Sequence, residues 1–377
     1  MTKRTDIARD RLARLLRLAR TRRRAIIGAQ DRPDPDGMAS AAALKRLLKE
    51  RTRLHVVIAA GGEVGRAENR ATLQVLGETL ESLESLDLSS FDFRALVDTQ
   101  PGFRNHSWPA NVPVDLVIDH HPRAPARHGS VLADIRPKYG AASTILTEYL
   151  QTARVEPDPQ LATALLYGIK TDTQNLGRGA SPADIRAFLY LYPRSSPRLL
   201  AKIERERLSR DYFATLARAL LACRLYDNVA LCSLGPVSTP DMLGEMADFF
   251  LRIEGVRWSL CHGTFGGKLH LSLRTVLRQG NAGQLMARLL EGLGAGGGHG
   301  MVGGGQVPLP DPSPQAVEAR AREIELRFLR QVEVHTRTPE PLVPGPLPAA
   351  RRHKGTGPRP RPQRDVSVFP PLGVSGT

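Results

Sequence analysis

Apolar positions along the first half of the chain alternate between helical and extended spacing. Ala8, Leu12, Leu15, Leu16 and Ala19 recur at helical intervals with arginines between them. That pattern predicts an amphipathic helix packed on the first domain, with a helix lying on a membrane surface as the alternative. Short apolar runs predict strands at Ala25–Ala29, Leu54–Ala60, Phe93–Val97 and Val114–Ile118. Ser40–Glu50, rich in Ala, Leu and Lys, predicts a helix, and residues 67–86 predict one helix or two. Another helix opens at Gly140–Thr144 and runs to about Thr152. Leu161–Ile169 is apolar throughout, and its Ala and Leu favour helix over strand up to Tyr167. Strands alternating with helices predict an α/β fold, here a doubly wound, mostly parallel sheet.

The pattern changes after Pro193–Arg198. Leu199–Cys223 predicts one long charged helix, a natural helical linker between domains. Beyond it, Asn228–Leu234, Arg257–Cys261 and the alternating Lys268–Arg274 predict strands. Asn281–Leu290 and Pro312–Glu333 predict helices. The expected organisation is a first domain over 1–192, a linker over 193–223 and a smaller C-terminal α/β domain over 224–335, facing the first across a cleft. Residues 336–377 carry ten prolines and no periodicity, which predicts a disordered Pro/Arg-rich tail.

Composition narrows the class. A chain of 377 residues suits two domains plus tails, at roughly 150 residues per domain. A 41% hydrophobic and 24% charged make-up is that of a globular protein. No apolar run approaches a membrane span, and no membrane partner is expected. The arginine-rich start contains Asp6 and Asp10, which argues against a transit peptide. Cys223, Cys232 and Cys261 show no C-x-x-C spacing, and a reducing cytoplasm fits them. The net charge of +15 is concentrated at the ends: residues 1–24 hold ten Lys/Arg against two Asp. Such a surface attracts polyanions, nucleic acid among them.

The chemistry gathers at predicted strand ends. Asp119-His120-His121-Pro122 follows the strand Val114–Ile118, on the sheet edge where open α/β folds bind ligands. Its side chains are those that hold divalent metals; an ordinary surface turn is the bland alternative. Asp34 and Asp36 stand two apart in a loop stiffened by Pro33 and Pro35, which suits a hard cation but also an ordinary turn. Asp98 ends the strand Phe93–Val97, and Asp172 follows the apolar run ending at Ile169. In the second domain, eight of the twelve residues from Gly294 to Gly305 are glycine, with His299 among them. Such backbone can point several N–H groups at an anion, or serve only as a flexible linker.

Four motifs in order resemble the DHH phosphoesterase superfamily: Pro33-Asp34-x-Asp36-Gly37-x-x-Ser40, Asp98 at a strand end, Asp119-His120-His121-Pro122, and Gly168-Ile169-x-Thr171-Asp172-Thr173. Ser272-Leu273-Arg274 and the glycine run ending at His299 resemble its DHH-associated C-terminal domain, and the likeness covers roughly residues 10–333. The resemblance implies a phosphoesterase using two manganese ions, with magnesium as a substitute. It implies that Asp98 bridges the metals, that Asp34 holds the first ion, and that Asp36, His120 and Asp172 hold the second. His121 would face the scissile phosphate and Asp119 would orient the histidine pair. Arg274, Ser272, Gly297, Gly298 and His299 would bind the substrate. The pattern departs at Gln30, where the family usually places a metal-binding histidine; an amide oxygen is a weaker ligand for the first ion. The layout resembles the branch of nano-RNases and 3′-phosphoadenosine-5′-phosphate phosphatases, which implies a short oligonucleotide or nucleotide substrate; a homodimer is a compatible assembly. Single-strand exonuclease, cyclic-dinucleotide phosphodiesterase and a catalytically weak nucleotide-binding relative are the alternatives.

Overall fold

The computed structural model describes residues 3–103, 105–124, 130–277, 279–336 and 338–345, with backbone alone for residues 3–7 and His299. The first sheet is built around β1 (Arg24–Gly28), whose two faces are both apolar. Ala25 and Ile27 enter one core and Ile26 the other. Burial on both faces is the environment of parallel strands, and every ladder of this sheet is parallel. From β1 the chain moves out through β2 (His55–Ala60) to β3 (Leu80–Ser82). It then returns to the other side of β1 with β4 (Phe93–Val97) and moves out through β5 (Leu116–Asp119) to β6 (Leu132–Ile135). The order is β3-β2-β1-β4-β5-β6. Its direction reverses between β1 and β4, and a crevice forms there at the strands' C-terminal ends.

The domain's helices are α1 (Lys3–Ala19), α2 (Pro35–Arg51), α3 (Ala67–Leu76), α4 (Ala142–Ala153), α5 (Pro159–Asp172) and α6 (Pro182–Leu191). All but α3 place buried residues in the larger core on one face of the sheet. Leu83, Leu88, Phe91, Trp108 and Val114 close the other face. Leu12, Leu15 and Ala19 of α1 are buried, and Arg11 pairs with Asp134 of β6, so the apolar stripe of α1 faces the protein rather than a membrane. Among the described residues no helix is long and apolar enough to cross a membrane.

Three local expectations change here. The helix expected from Ser40 starts at Pro35, because the Asp34 carboxylate accepts the Gly37 N–H at 3.0 Å and Pro35 is preset for a first helical position. Asp36 therefore sits in a helical first turn, not in an extended loop. The helical stretch expected over 67–86 ends at Leu76, where Gly77 turns left-handed at φ 62, and β3 follows. β6 has only two buried positions in four, too short a pattern to have been predicted.

The single helix expected for Leu199–Cys223 is two: α7 (Pro197–Glu204) and α8 (Arg210–Ala222). The Ser209 hydroxyl accepts the Tyr212 N–H and starts the second one. The second sheet comprises β7 (Arg224–Tyr226), β8 (Val229–Pro236), β9 (Trp258–Phe265), β10 (Lys268–Thr275), β11 (Ala295–His299), β12 (Val302–Pro308) and β13 (Glu340–Pro341). Their order is β11-β12-β10-β9-β8-β7-β13, antiparallel except between β8 and β9. On one face, α10 (Ala282–Leu289) and α11 (Pro314–Gln331) pack against Leu269, Leu271 and Leu273. On the other, α8 and α9 (Asp241–Phe250) enclose Cys232 and Cys261.

The glycine run, expected as an anion-cradling loop or linker, is the β11–β12 hairpin. Its glycines let a helix approach: a methyl on Gly303 would stand 2.6 Å from the Ala282 carbonyl oxygen of α10 and one on Gly296 2.7 Å from that of Met286, while from the helix side a methyl on Gly283 would stand 2.2 Å from the Gly298 carbonyl carbon and oxygen. The disorder expected from residue 336 does not hold at the start of that segment. Asp227 accepts the N–H groups of His335 and Thr336, β13 pairs with β7, and the Leu342 N–H donates to the Cys223 carbonyl. Residues 346–377 lie outside the described residues.

Candidate metal centre

Two adjacent strands and two helices deliver the acid–histidine side chains to one place. β4 ends at Asp98, which takes the left-handed conformation at φ 56 while its N–H still donates to the Ile118 carbonyl of β5. β5 ends at Asp119, and His120 and His121 follow. α2, leaving the tip of β1, brings Asp36, and the last turn of α5 brings Asp172. Asp36, Asp98, His120 and Asp172 form one group with converging ligand atoms, and Asp98, Asp119, His120 and His121 form another. Asp98 and His120 belong to both.

His120 Nε2 lies 3.2 Å from Asp98 Oδ1, 3.3 Å from Asp172 Oδ2 and 3.9 Å from Asp36 Oδ2. Its Nδ1 faces the Tyr139 carbonyl at 3.3 Å, which fixes the ring. Asp36 is anchored at the N-terminus of α4, where Ala142 and Ser143 each donate an N–H to it at 2.7 Å. His121 Nδ1 meets Asp119 Oδ1 at 2.8 Å, and Gln100 Nε2 donates to Asp119 Oδ2 at 2.7 Å. Asp119 is thus held from both sides.

Crowding three carboxylates in a dry site disfavours their charged forms. Burial, then the neighbouring Asp36 charge, pushes Asp98 up to about 7. Burial and Asp36 likewise push Asp172 well above the usual carboxylate range, and Asp36 is raised by its own burial. The histidines move the other way from what burial alone dictates. Asp172 and Asp98 hold His120 well above its ordinary value, and Asp119, followed by Asp98, holds His121 at about 9. Asp119, also buried, is pulled down by its bond to His121.

The donor set fits divalent cations. Both Asp98 oxygens, His120 Nε2 and Gln30 Oε1 are buried without a hydrogen-bond partner among the described residues. Carboxylates and an imidazole left unsatisfied toward one point are the chemistry of a metal site. Gln30 does aim into this space: a methyl on Gly37 would stand 2.8 Å from Gln30 Oε1 and 3.4 Å from Asp98 Oδ2. Asp34 lies beside the group, close enough to disfavour charge on Asp36, Asp98 and Asp172, though outside both converging sets. Asp31 turns away, accepting the Ser107 N–H and hydroxyl.

The substrate residues expected in the second domain share its sheet. Arg274 Nε donates to Asp248 at 3.0 Å, and Nη1 donates to Ser272 Oγ at 2.8 Å and to the Leu273 carbonyl at 3.0 Å. Gly297 and Gly298 lie on β11, paired with Gly304 and Gly303. The His299 side chain lies outside the described residues.

Residues 24–169 match the model of the DHH family, N-terminal domain, and residues 227–325 match the DHHA1 domain. The chain belongs to the DHH family. A curated relative, an uncharacterized protein of Methanocaldococcus jannaschii, is 36% identical over 269 residues, 71% of this chain and 54% of that protein. The DHH chain thus spans about half the length of the curated relative it matches. An exopolyphosphatase-related protein from Bacteroides fragilis shares the fold at a TM-score of 0.67 and 16% identity, over 85% of this chain and 96% of that one. RecJ from Thermus thermophilus, solved in complex with Mn2+, aligns at a TM-score of 0.50 and 17% identity, over 89% of this chain and 55% of its own. At these identities the likeness is one of fold.

Within the DHH domain, Gln100 is a residue that the sequence pattern did not single out. It is buried, donates to Asp119 and to the carbonyls of His121 and Pro122, and accepts the Ala124 N–H. It ties the loop after β4 to the Asp119–Pro122 turn. The available signal was an amide two residues beyond Asp98, in a loop otherwise built for turning.

Proposed function

We propose that this DHH chain is a metal-dependent phosphoesterase acting on short oligonucleotides or small nucleotides. The observation that carries it is the set of buried, unsatisfied ligand atoms on Asp98, His120 and Gln30, with Asp36 and Asp172 beside them. Asp98, with both oxygens unpartnered among the described residues, would serve both ions, and His120 would offer Nε2 to one of them. Asp36 and Asp172 would complete one ion's ligands, and Asp34 and Gln30 would serve the other. Manganese suits the mixed carboxylate–imidazole set, and magnesium suits its carboxylates. Divalent cations bound there lower the pKa of a water and neutralise phosphate charge.

The chain's own residues supply the rest. Asp119, clamped by Gln100, orients His121 and favours its protonated form, and an imidazolium there would be an electrostatic partner for a phosphate. Ser272 and Arg274 offer a hydroxyl and a guanidinium fork from the DHHA1 domain. The RecJ structure contains Mn2+, and a nucleotide substrate agrees with the basic balance of this chain. Three buried, free thiols suit a cytoplasmic setting.

The test is turnover of labelled di- to pentanucleotides, a long single strand and cyclic di-AMP with added manganese or magnesium. Products from the short substrates, lost with Asp98→Asn, support the reading. Absence of turnover on all three at every metal concentration overturns it. Gln30 favours a second reading, a nucleotide-binding relative of low turnover, because its neutral amide stands in the metal space. That reading requires nucleotide binding that survives His120→Ala, with no hydrolysis by the parent.

A further inference from the structure

α4 starts without a side-chain cap of its own, because its N-cap is Ala141. The segment around that start still reaches two of the converging ligands through its backbone. The Tyr139 carbonyl faces His120 Nδ1, and the Ala142 and Ser143 N–H groups hold Asp36. The same segment packs beside a third ligand: a methyl on Gly140 would stand 2.4 Å from Cγ2 of Thr173, the residue after Asp172. A short segment can aim two ligands only if something other than those ligands fixes it.

Asp184 does so. It is fully buried in the first turn of α6. Both of its oxygens accept the Gly140 N–H at 3.0 Å, and Oδ1 accepts the Thr144 hydroxyl at 2.6 Å. Oδ2 also accepts the Ser181 N–H and hydroxyl, each at 2.6 Å. The Ser181 bonds belong to the reciprocal cap that starts α6. Capping does not account for the other two, which come from the far side of α4 and α5 in the chain. Gly140 precedes and Thr144 follows the residues that meet Asp36, so one carboxylate grips the segment on both sides. Each of these neighbours presents an N–H or O–H to it. An amide in its place would set its NH2 group against a backbone N–H whichever way it turned.

We propose that Asp184 is a positioning residue of the metal centre, holding the Tyr139–Ser143 backbone where it aims His120 and Asp36. Asp184 belongs to neither converging group and acts only through that segment. Partners that orient a ligand without touching the metal change metal affinity by about 10–100-fold. This role rests on reading the acid–histidine cluster as a divalent-cation site, but the order it imposes on Ala142 and Ser143 is measurable without a cation.

The test compares the full-length parent with Asp184→Asn, Thr144→Val and Ser181→Ala. Manganese binding is measured by calorimetry well below the melting temperature. Amide hydrogen exchange is followed in chelator on the peptides carrying Ala142–Ser143 and the start of α6. Asp184→Asn should weaken manganese binding by about tenfold or more and speed exchange at Ala142–Ser143. Thr144→Val, which removes one grip and spares the α6 cap, should do the same to a smaller degree; it carries the test if Asp184→Asn does not fold. Ser181→Ala should lower the melting temperature and loosen the start of α6 while leaving manganese affinity and Ala142–Ser143 unchanged. The role is overturned if Asp184→Asn binds manganese as the parent does, or if Ser181→Ala loses as much affinity as Asp184→Asn, which would reduce Asp184 to a helix cap. A parent that binds no manganese instead refutes the metal reading. Exchange at Ala142–Ser143 then decides the role of Asp184: faster in Asp184→Asn supports it, and unchanged overturns it.

Discussion

Asp98 carries two unfavourable features at once, a left-handed backbone and a buried carboxylate facing other carboxylates. Asn tolerates the same backbone and removes the charge. In chelator, Asp98→Asn should therefore melt higher than the parent at pH 8, and it should lose the stabilisation that manganese gives the parent; thermal melts with and without metal check both. The pH dependence follows from linkage. Asp98 is raised from an unfolded value near 3.8 to about 7, so the folded state binds the extra proton. Metal-free stability then falls as pH rises between those values, and Asp98→Asn should flatten that slope in urea melts. Cation affinity should climb over the same range, since binding expels the proton. Gln30→His should lower the manganese concentration needed for half-maximal stabilisation by about tenfold, the lower end of the effects typical around a metal. An unchanged requirement would mean that residue 30 is not a ligand. The acids and histidines were legible because their chemistry marks them individually. Gln100 was not, because it acts through Asp119 and backbone carbonyls that only the fold brings within reach.

At the scale of elements, an acid or serine before a proline marks helix starts throughout the chain. Asp34-Pro35, Asp158-Pro159, Ser181-Pro182, Ser196-Pro197 and Ser313-Pro314 each open a helix with the first side chain as cap. Asp34-Pro35 was legible as this signal, but the neighbouring Pro33 and Gly37 also spell a turn, and local chemistry alone does not separate the two. Ser209 opens α8 without a proline, so the linker read as one unbroken helix. The glycine run misled for a different reason. Strand pairing of β11 with β12 leaves no periodic apolar signal when most of the residues have no side chain. Its glycines are required by α10, and Gly283→Ala should cost about 1–3 kcal/mol as an overpacked contact. Chemical denaturation measures that; a variant as stable as the parent would show that α10 can stand further off.

For the whole molecule, the net charge of +15 predicts salt-sensitive binding of single strands, with a slope of about −0.7 per phosphate neutralised. If the basic ends take part, the slope should steepen from di- to pentanucleotide; if only the cleft binds, it should level off at the dinucleotide. Fluorescence anisotropy at several salt concentrations distinguishes these outcomes. The two-domain layout and the parallel sheet were legible from alternating apolar runs. The tie of Asp227 to His335 and Thr336 was not, because contacts between distant segments leave no local pattern.

The split position of β1 also bears on the order in which the molecule is made. β1 ends at Gly28, and its central-sheet neighbour β4 begins only at Phe93. During synthesis from the N-terminus, the segment bearing Asp34 and Asp36 leaves the ribosome well before Asp98, His120 and Asp172 exist to meet it. Pairings across such sequence distances close slowly. The acid–histidine cluster is therefore among the last parts of the DHH domain to assemble, and a chain stalled before Asp172 presents an incomplete set of ligands.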